Sequence, residues 1–163
     1  MDFYDRYVDL REYTDSDAEA TLTVFLRAIR ETAAGDYSPD QAAAWAAEHG
    51  DLAAWAASRA AAHTQVAIID GRVVGFTDLD DDGYVDMLFV DPDFGRQGVA
   101  TSMLAATIAL ARQRGTVALT TYASLTAKPL FERHGFVVTE ERHFLSRDVE
   151  LTNVAMRCEL GAA

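Results

Sequence analysis

Hydrophobic positions change period several times along the chain, and the changes mark its elements. Tyr7-Val8-Asp9-Leu10-Arg11 alternates in steps of two, as a half-buried strand does. Leu22, Phe25, Leu26 and Ile29 then recur at three- and four-residue steps, one apolar helix face behind the capping side chains of Thr14-Asp15-Ser16-Asp17. Gly35-Asp36-Tyr37 breaks that helix. In Ser38-Pro39-Asp40-Gln41 the serine caps a new helix, the proline fits its first turn and the glutamine completes a capping box. Gln41 to Ala62 is alanine-rich, with Trp45 and Trp55 its largest side chains, and His49-Gly50-Asp51 divides it into two short helices. Residues 64–70 and 72–80 read as strands joined at Asp70-Gly71, a hairpin signal.

Tyr84 to Val90 reads as one further strand. It breaks at Asp91-Pro92, passes a glycine-bearing loop and enters a helix from Gly98 to about Arg114. Val99, Met103, Leu104 and Ile108 form that helix's buried face, and Gly115 ends it. Thr116 to Tyr122 is rich in β-branched residues and reads as a strand. Thr126 to His134 is helix-compatible and stops at Gly135. Phe136 to Phe144 and Val149 to Cys158 alternate as a closing antiparallel pair around Ser146-Arg147-Asp148. The order predicted is strand, two or three helices, three strands, helix, strand, helix, two strands: a mixed α/β fold. At 163 residues, half of them hydrophobic, the chain is expected to form a single domain, 1–163, with a substantial core.

Composition narrows the function classes. A formal net charge of −12 argues against general nucleic-acid binding, which needs a positive face, and suits a cationic or neutral acceptor. Arg96, Arg112, Arg114, Lys128 and Arg133 are expected to gather around the glycine-bearing loop. No run approaches the roughly 20 apolar residues of a membrane span, and Met1-Asp2-Phe3-Tyr4-Asp5 has no signal-peptide pattern. Neither a membrane nor a nucleic acid is expected as a partner. The single cysteine, Cys158, forms no internal disulfide, which fits a reduced, cytoplasmic setting. Asp78 and Asp80-Asp81-Asp82-Gly83 hint at a metal, but the calcium-loop spacing and its distant glutamate are missing, so a solvated turn is expected and no metal.

The loop itself carries the chemistry. Gly95-Arg96-Gln97-Gly98-Val99-Ala100-Thr101 lies between a strand end and a helix start, where free N–H groups and the helix dipole favour an anion, most plausibly a pyrophosphate. Neither the Walker pattern nor Gly-x-Gly-x-x-Gly is present. The segment resembles the acyl-CoA pyrophosphate loop of the GCN5-related N-acetyltransferases (GNAT), Gln/Arg-x-x-Gly-x-Gly/Ala, with Gly98 and Ala100 on the small positions. It departs from that pattern in having Gly95 for the leading Gln or Arg, with Arg96 beside it. A second anchor, Tyr122-Ala-Ser124-Leu-Thr-Ala127 through Phe131 to Gly135-Phe136, is similar to that family's Asn-x-x-Ala segment, with Ser124 for Asn and Phe131 for the usual Tyr. Asp36-Tyr37-Ser38-Pro39 and the residues from Ala123 to Glu132 look like a YafP-type subgroup.

The resemblance implies a central, mostly antiparallel sheet of about seven strands with a splayed parallel pair, flanked by helices. It implies acetyl-CoA as co-substrate and direct acetyl transfer to a primary amine of a small molecule or peptide, by a monomer or homodimer. Backbone groups of Leu88, Phe89 and Val90 would pair with the pantetheine, Gly95 to Thr101 would hold the pyrophosphate, and Ser124 and Phe131 would flank the cofactor. A period of two puts Tyr84, Asp86, Leu88 and Val90 on one face. Family members often place a base at the first two of these. Asp86 is therefore read either as base or ammonium anchor, or as a hydrogen-bonded structural aspartate, since burying a carboxylate needs a partner. With phenylalanine at 131 the usual thiolate proton donor is missing, and Tyr122 is the substitute. Tyr37 and Trp45 either pack as a flank or line an acceptor pocket. The four histidines are weak candidates; His49 and His63 flank helix ends. The Phe131 replacement also motivates an alternative, a non-catalytic acyl-CoA-binding module.

Overall fold

β1 (Asp9–Glu12) starts the described part of the chain, residues 7–161 of a computed structural model; Met1 to Asp5 lie outside it. Thr14 and Asp17 form a capping box ahead of α1 (Ala18–Arg30), whose Val24, Phe25 and Ile29 are buried while Leu22 and Leu26 are only partly so. Ser38 caps α2 (Pro39–Ala47) as its sequence requires: its Oγ accepts from Gln41 N–H at 3.2 Å, and Gln41 Oε1 accepts from Ser38 N–H at 2.9 Å. Asp51 caps α3 (Leu52–Ala61). β2 (Gln65–Ile69) and β3 (Arg72–Thr77) pair antiparallel across Asp70-Gly71, both at positive φ as the tight hairpin turn demands.

The expected strand from Tyr84 to Val90 is two strands, β4 (Tyr84–Val85) and β5 (Leu88–Val90). β5 pairs antiparallel with β3, and β4 pairs parallel with β6 (Ala118–Ser124). α4 (Val99–Gln113) and the short α5 (Lys128–Arg133) flank β6 in sequence. β7 (Val137–Ser146) and β8 (Val149–Glu159) form the closing hairpin. Two four-stranded sheets result, in the orders β1-β2-β3-β5 and β4-β6-β8-β7. The mixed α/β architecture, mostly antiparallel with one parallel pair, is the one expected. Taking the interrupted strand as one gives its seven strands.

Helices cover both faces. Phe25, Trp55, Phe76 and Met87 pack together under α1–α3, whereas Val74, Val99 and Met103 form the core under α4. Cys158 is buried on β8, the small apolar role expected of it.

Candidate functional site

The break between β4 and β5 organises the site. Strand alternation fails there: Asp86 and Met87 belong to neither strand and interrupt the ladder as a bulge does, shifting the side-chain period after them. Val85 packs beneath α4 with Leu104 and Leu119. Met87 and Phe89 pack under α1–α3, on the side to which Tyr84 and Asp86 turn, while Leu88 reaches both sides from its packing against Val85 and Leu104. Leu88 and Val90 pack toward Val99 and Met103. The expectation of a single face carrying Tyr84, Asp86, Leu88 and Val90 is therefore corrected: the bulge adds one residue to the period.

Side chains satisfy the backbone at the bulge. Asp78 Oδ1 accepts from the N–H groups of Asp86 (2.8 Å) and Met87 (3.3 Å), Thr77 Oγ1 donates to Met87 C=O, and Thr121 Oγ1 donates to Val85 C=O, both at 2.8 Å. Asp78 Oδ2 accepts from Arg59 Nη1 at 3.2 Å, with both side chains at most 4% exposed. Burial pushes the Asp78 carboxyl up to about 6, while the two N–H groups and Arg59 pull the other way. Asp78 is thus no part of a solvated turn. That description holds for Asp80 to Asp82, where Asp80 Oδ1 accepts from Asp82 and Tyr84 N–H. Sequence reasoning missed Asp78 because its partner Arg59 lies 19 residues earlier on a helix.

After the bulge β5 turns away from β6. The parallel pairing stops at Tyr84–Thr120 and Val85–Thr121, so one edge of β5 has no strand beside it. Asp91 N–H donates to Val74 C=O at 2.8 Å, which sets the alternation: Phe89 and Asp91 direct their backbone groups at β3, and Leu88 and Val90 direct theirs into the gap. Below the gap, the Asp91 carboxylate, 2% exposed, accepts from Arg27 Nη1 (2.8 Å), Arg72 Nη2 (3.3 Å) and Asp93 N–H (2.9 Å), tying the strand end to α1 and β3.

The loop then turns through two left-handed residues, Arg96 (φ 59°) and Gly98 (φ 80°). A non-glycine residue there costs on the order of 1 kcal/mol, strain of the kind that clusters at binding loops. The first helical bond of α4 runs from Ser102 N–H to Gly98 C=O, so the N–H groups of Val99, Ala100 and Thr101 have no intrahelical acceptor. A cavity of about 270 Å³ lies against them. Leu88, Phe89, Val90, Gly95, Arg96, Gly98, Val99, Ala100 and Thr101 line it together with Ser124, Ala127 and Arg133. Gln97 sits outside that lining, with its Nε2 on Asp93 C=O. Of the basic residues expected around the loop only Arg96 and Arg133 line the cavity. Arg112 and Arg114 are corrected outright, because a helix rising 1.5 Å per residue carries them about 20 Å from the loop.

A second cavity, about 230 Å³, lies on the other side of β5. Tyr84, Asp86, Tyr122, Phe131, Tyr37 and Trp45 all line it, together with Glu48, His49, Phe89 and Arg142. Leu88, Phe89, Trp45, Ser124 and Ala127 line both cavities, so the two meet at the gap between β5 and β6. Asp86 is exposed at this cavity and receives the Tyr84 hydroxyl at 3.4 Å; it is not the buried carboxylate that the apolar strand suggested. Burial, then the negative charge of Asp86, raises the Tyr84 pKa, so its phenol stays protonated at neutral pH. Tyr122 stacks edge-on to Tyr84 at 5.8 Å and lies 3.9 Å beneath the Arg142 guanidinium. The Tyr37 hydroxyl is committed to the scaffold: it donates to Thr152 C=O at 2.7 Å and accepts from Leu125 N–H at 3.0 Å. Ser124 Oγ accepts from Ala127 N–H, capping the turn into α5.

His49, set aside on sequence, also lines this cavity. It packs against Phe25 at 4.8 Å, and burial followed by the Arg59 charge lowers its pKa, favouring the neutral ring. Nothing in its sequence setting, at a helix end beside a glycine, signalled this. Among the described residues no group of three or more His, Cys, Asp or Glu is placed to hold a metal ion, and no helix is long and apolar enough to cross a membrane.

Two cavities meeting at a splayed strand pair, one of them closed by a helix N-terminus, define an acyltransferase architecture, and the chain belongs to the GNAT acetyltransferase family: residues 33–160 match its acetyltransferase (GNAT) domain. The chain is 38% identical over 150 residues to the N-acetyltransferase YafP of Escherichia coli K12, covering 92% of this chain and 95% of that protein. A GCN5-related N-acetyltransferase from Rhodopseudomonas palustris superposes with a TM-score of 0.89 at 34% identity, over 93% of this chain and 95% of its own. The PaiA N-acetyltransferase of Thermoplasma acidophilum, solved in complex with coenzyme A, shares the fold at a TM-score of 0.76 and 16% identity, over 94% and 99%. The chain is an N-acetyltransferase of this family.

Proposed function

We propose that the chain moves an acetyl group from acetyl-CoA directly to a primary amine of a small molecule. The meeting of the two cavities at Leu88 and Phe89 carries this reading, because it lets a thioester threaded from the loop side reach an amine held on the other. The pantetheine adds to the open edge of β5 through the backbone groups of Leu88 and Val90, as an extended ligand adds to a sheet. An N–H there polarises the thioester carbonyl, and the N–H groups of Val99 to Thr101 take the pyrophosphate, with Arg96 and Arg133 supplying charge. The second cavity, below the ~300–1,000 Å³ of drug-sized pockets, favours a small acceptor over a folded one.

Asp86 attracts the ammonium and takes its proton, directly or through water. The free amine attacks the carbonyl carbon, the tetrahedral intermediate expels the CoA thiolate, and the second proton lost by the attacking nitrogen passes to the thiolate, directly or relayed by a phenol. Phe131 has no proton to give. Tyr84 and Tyr122 line the same cavity, so phenol protons remain within it without a tyrosine at 131, although burial beside Asp86 makes Tyr84 a weaker acid than an ordinary phenol. The test is thiol release from acetyl-CoA across a panel of small primary amines. Release that no amine raises above background would refute the proposal.

A further inference from the structure

Among the described residues Arg142 is the one guanidinium on the wall of the second cavity. It projects from β7, half-buried, with its carbon 3.9 Å above the Tyr122 ring and 5.4 Å from that of Phe144. Stacking satisfies its faces and leaves its edge free. Among the described residues it makes no ion pair and no hydrogen bond, although the chain carries 26 acidic residues and Arg11, Arg27, Arg59, Arg72 and Arg157 all have carboxylate partners. Lone guanidinium edges in a cleft bind planar anions, and the fork of N–H groups matches a carboxylate in two-point fashion.

The same cavity is negative elsewhere. Asp86 is exposed to it, and so is Glu48, whose Oε1 accepts from Ser146 Oγ. Tyr84 and Tyr122 separate Asp86 from Arg142: the Tyr84 hydroxyl is on Asp86, its ring contacts Tyr122, and Tyr122 carries Arg142. A ligand lying along these rings meets a carboxylate at one end and a guanidinium at the other.

Resting on the acetyltransfer reading above, we propose that the acceptor is an amino carboxylate with its two charges at opposite ends: an ω-amino acid, its amine at Asp86, its carboxylate on the edge of Arg142 and its apolar spacer along the two tyrosine rings. Arg142 is then the residue that sets acceptor specificity. A simple alkylamine would leave the guanidinium edge to water, and a polyamine would meet it with like charge.

The test uses matched acceptors with acetyl-CoA: 5-aminopentanoate, 6-aminohexanoate and 8-aminooctanoate, each beside its carboxamide and its decarboxylated amine, read as kcat/KM by thiol release. The proposal expects each amino acid to exceed its carboxamide by at least about tenfold, the size of one charge-assisted bidentate contact. In Arg142→Met that ratio should collapse toward one, and Arg142→Lys should recover part of it. Equal rates for acid and amide in the wild-type chain, or a ratio unmoved by Arg142→Met, would overturn the assignment of Arg142 while leaving acetyl transfer intact. Thiol release with none of the nine acceptors nor any wider amine would overturn the transfer reading and this inference with it.

Discussion

Asp78 offers the sharpest test of how the site is built, because two substitutions separate its two jobs. Asp78→Ala removes the acceptor for the N–H groups of Asp86 and Met87, 2.8 and 3.3 Å from Oδ1, and the partner of Arg59. An unsatisfied buried N–H costs about 1–3 kcal/mol, so the two together cost about 2–6 kcal/mol. Against a typical domain stability of 5–15 kcal/mol this is a large fraction. With a urea m-value of about 2 kcal/mol/M, it lowers the unfolding midpoint by about 1–3 M. Asp78→Asn keeps an oxygen for both N–H groups. It leaves the buried Arg59 guanidinium without its counter-charge, with an amide NH2 in place of the oxygen that Arg59 bonded. It should therefore lose about 3–5 kcal/mol, the cost of leaving one member of a buried ion pair unpaired, and Asp78→Ala should lose the cost of the two N–H groups on top of that.

The pH dependence has a definite sign. A carboxyl raised to about 6 in the folded chain binds protons more tightly there than in the unfolded chain, near 3.8. Between those values the folded state holds the extra proton, so stability from this group falls as pH rises through the window. Two units correspond to about 3 kcal/mol, and urea titrations at pH 4 and pH 7 should show Asp78→Asn gaining on the parent by an amount of that order. If Asp78→Asn is as damaging as Asp78→Ala at pH 7, the ion pair and not the N–H acceptance holds the bulge, and the reasoning fails.

The other predictions concern chemistry. Asp86→Asn should cut kcat for acetyl transfer by about 10²–10⁴-fold, the range for a positioned acid or base, with CoA affinity by calorimetry little changed; undiminished turnover removes Asp86 from the mechanism. Gly98→Val should weaken CoA binding by at least about tenfold, since a β-branched residue at φ 80° costs more than 1 kcal/mol before its side chain meets the phosphates. Unchanged affinity would show the loop to be misassigned. Tyr84→Phe should lower kcat while Tyr122→Phe alone lowers it less, because Tyr84 is the one on Asp86; the reverse order in single-turnover rates would give the thiolate proton to Tyr122.

Local signals made most of the fold legible. The Ser38 capping box, the Asp70-Gly71 turn and the alternation of β7 and β8 act within a few residues, and each element formed where they pointed. Gly98 and Ala100 on a strand-to-helix loop are likewise local, and they marked the loop. What was hidden depends on residues far apart in the chain. The bulge at Asp86-Met87 has no glycine or proline to announce it; Asp78, Thr77 and Thr121 impose it from neighbouring strands. The position of His49 on the cavity and the distance of Arg112 from the loop are also tertiary facts. A cluster of arginines in sequence becomes two ends of a helix in space.

The bulge links the hidden part to the visible one. One extra residue has two consequences at once. It swings β5 off β6, freeing the backbone edge of Leu88 and Val90 on the loop side, and it turns Asp86 toward the opposite cavity beside Tyr84. A strand with regular alternation could do only one of these, because Asp86 would then share a face with Leu88 and point at α4. The cost of breaking the ladder falls on Asp78 and Arg59, both buried and neither lining the two reacting cavities. That is why a residue outside the reacting cavities should influence turnover: it fixes the one irregularity that lets an anion loop and an amine cavity meet.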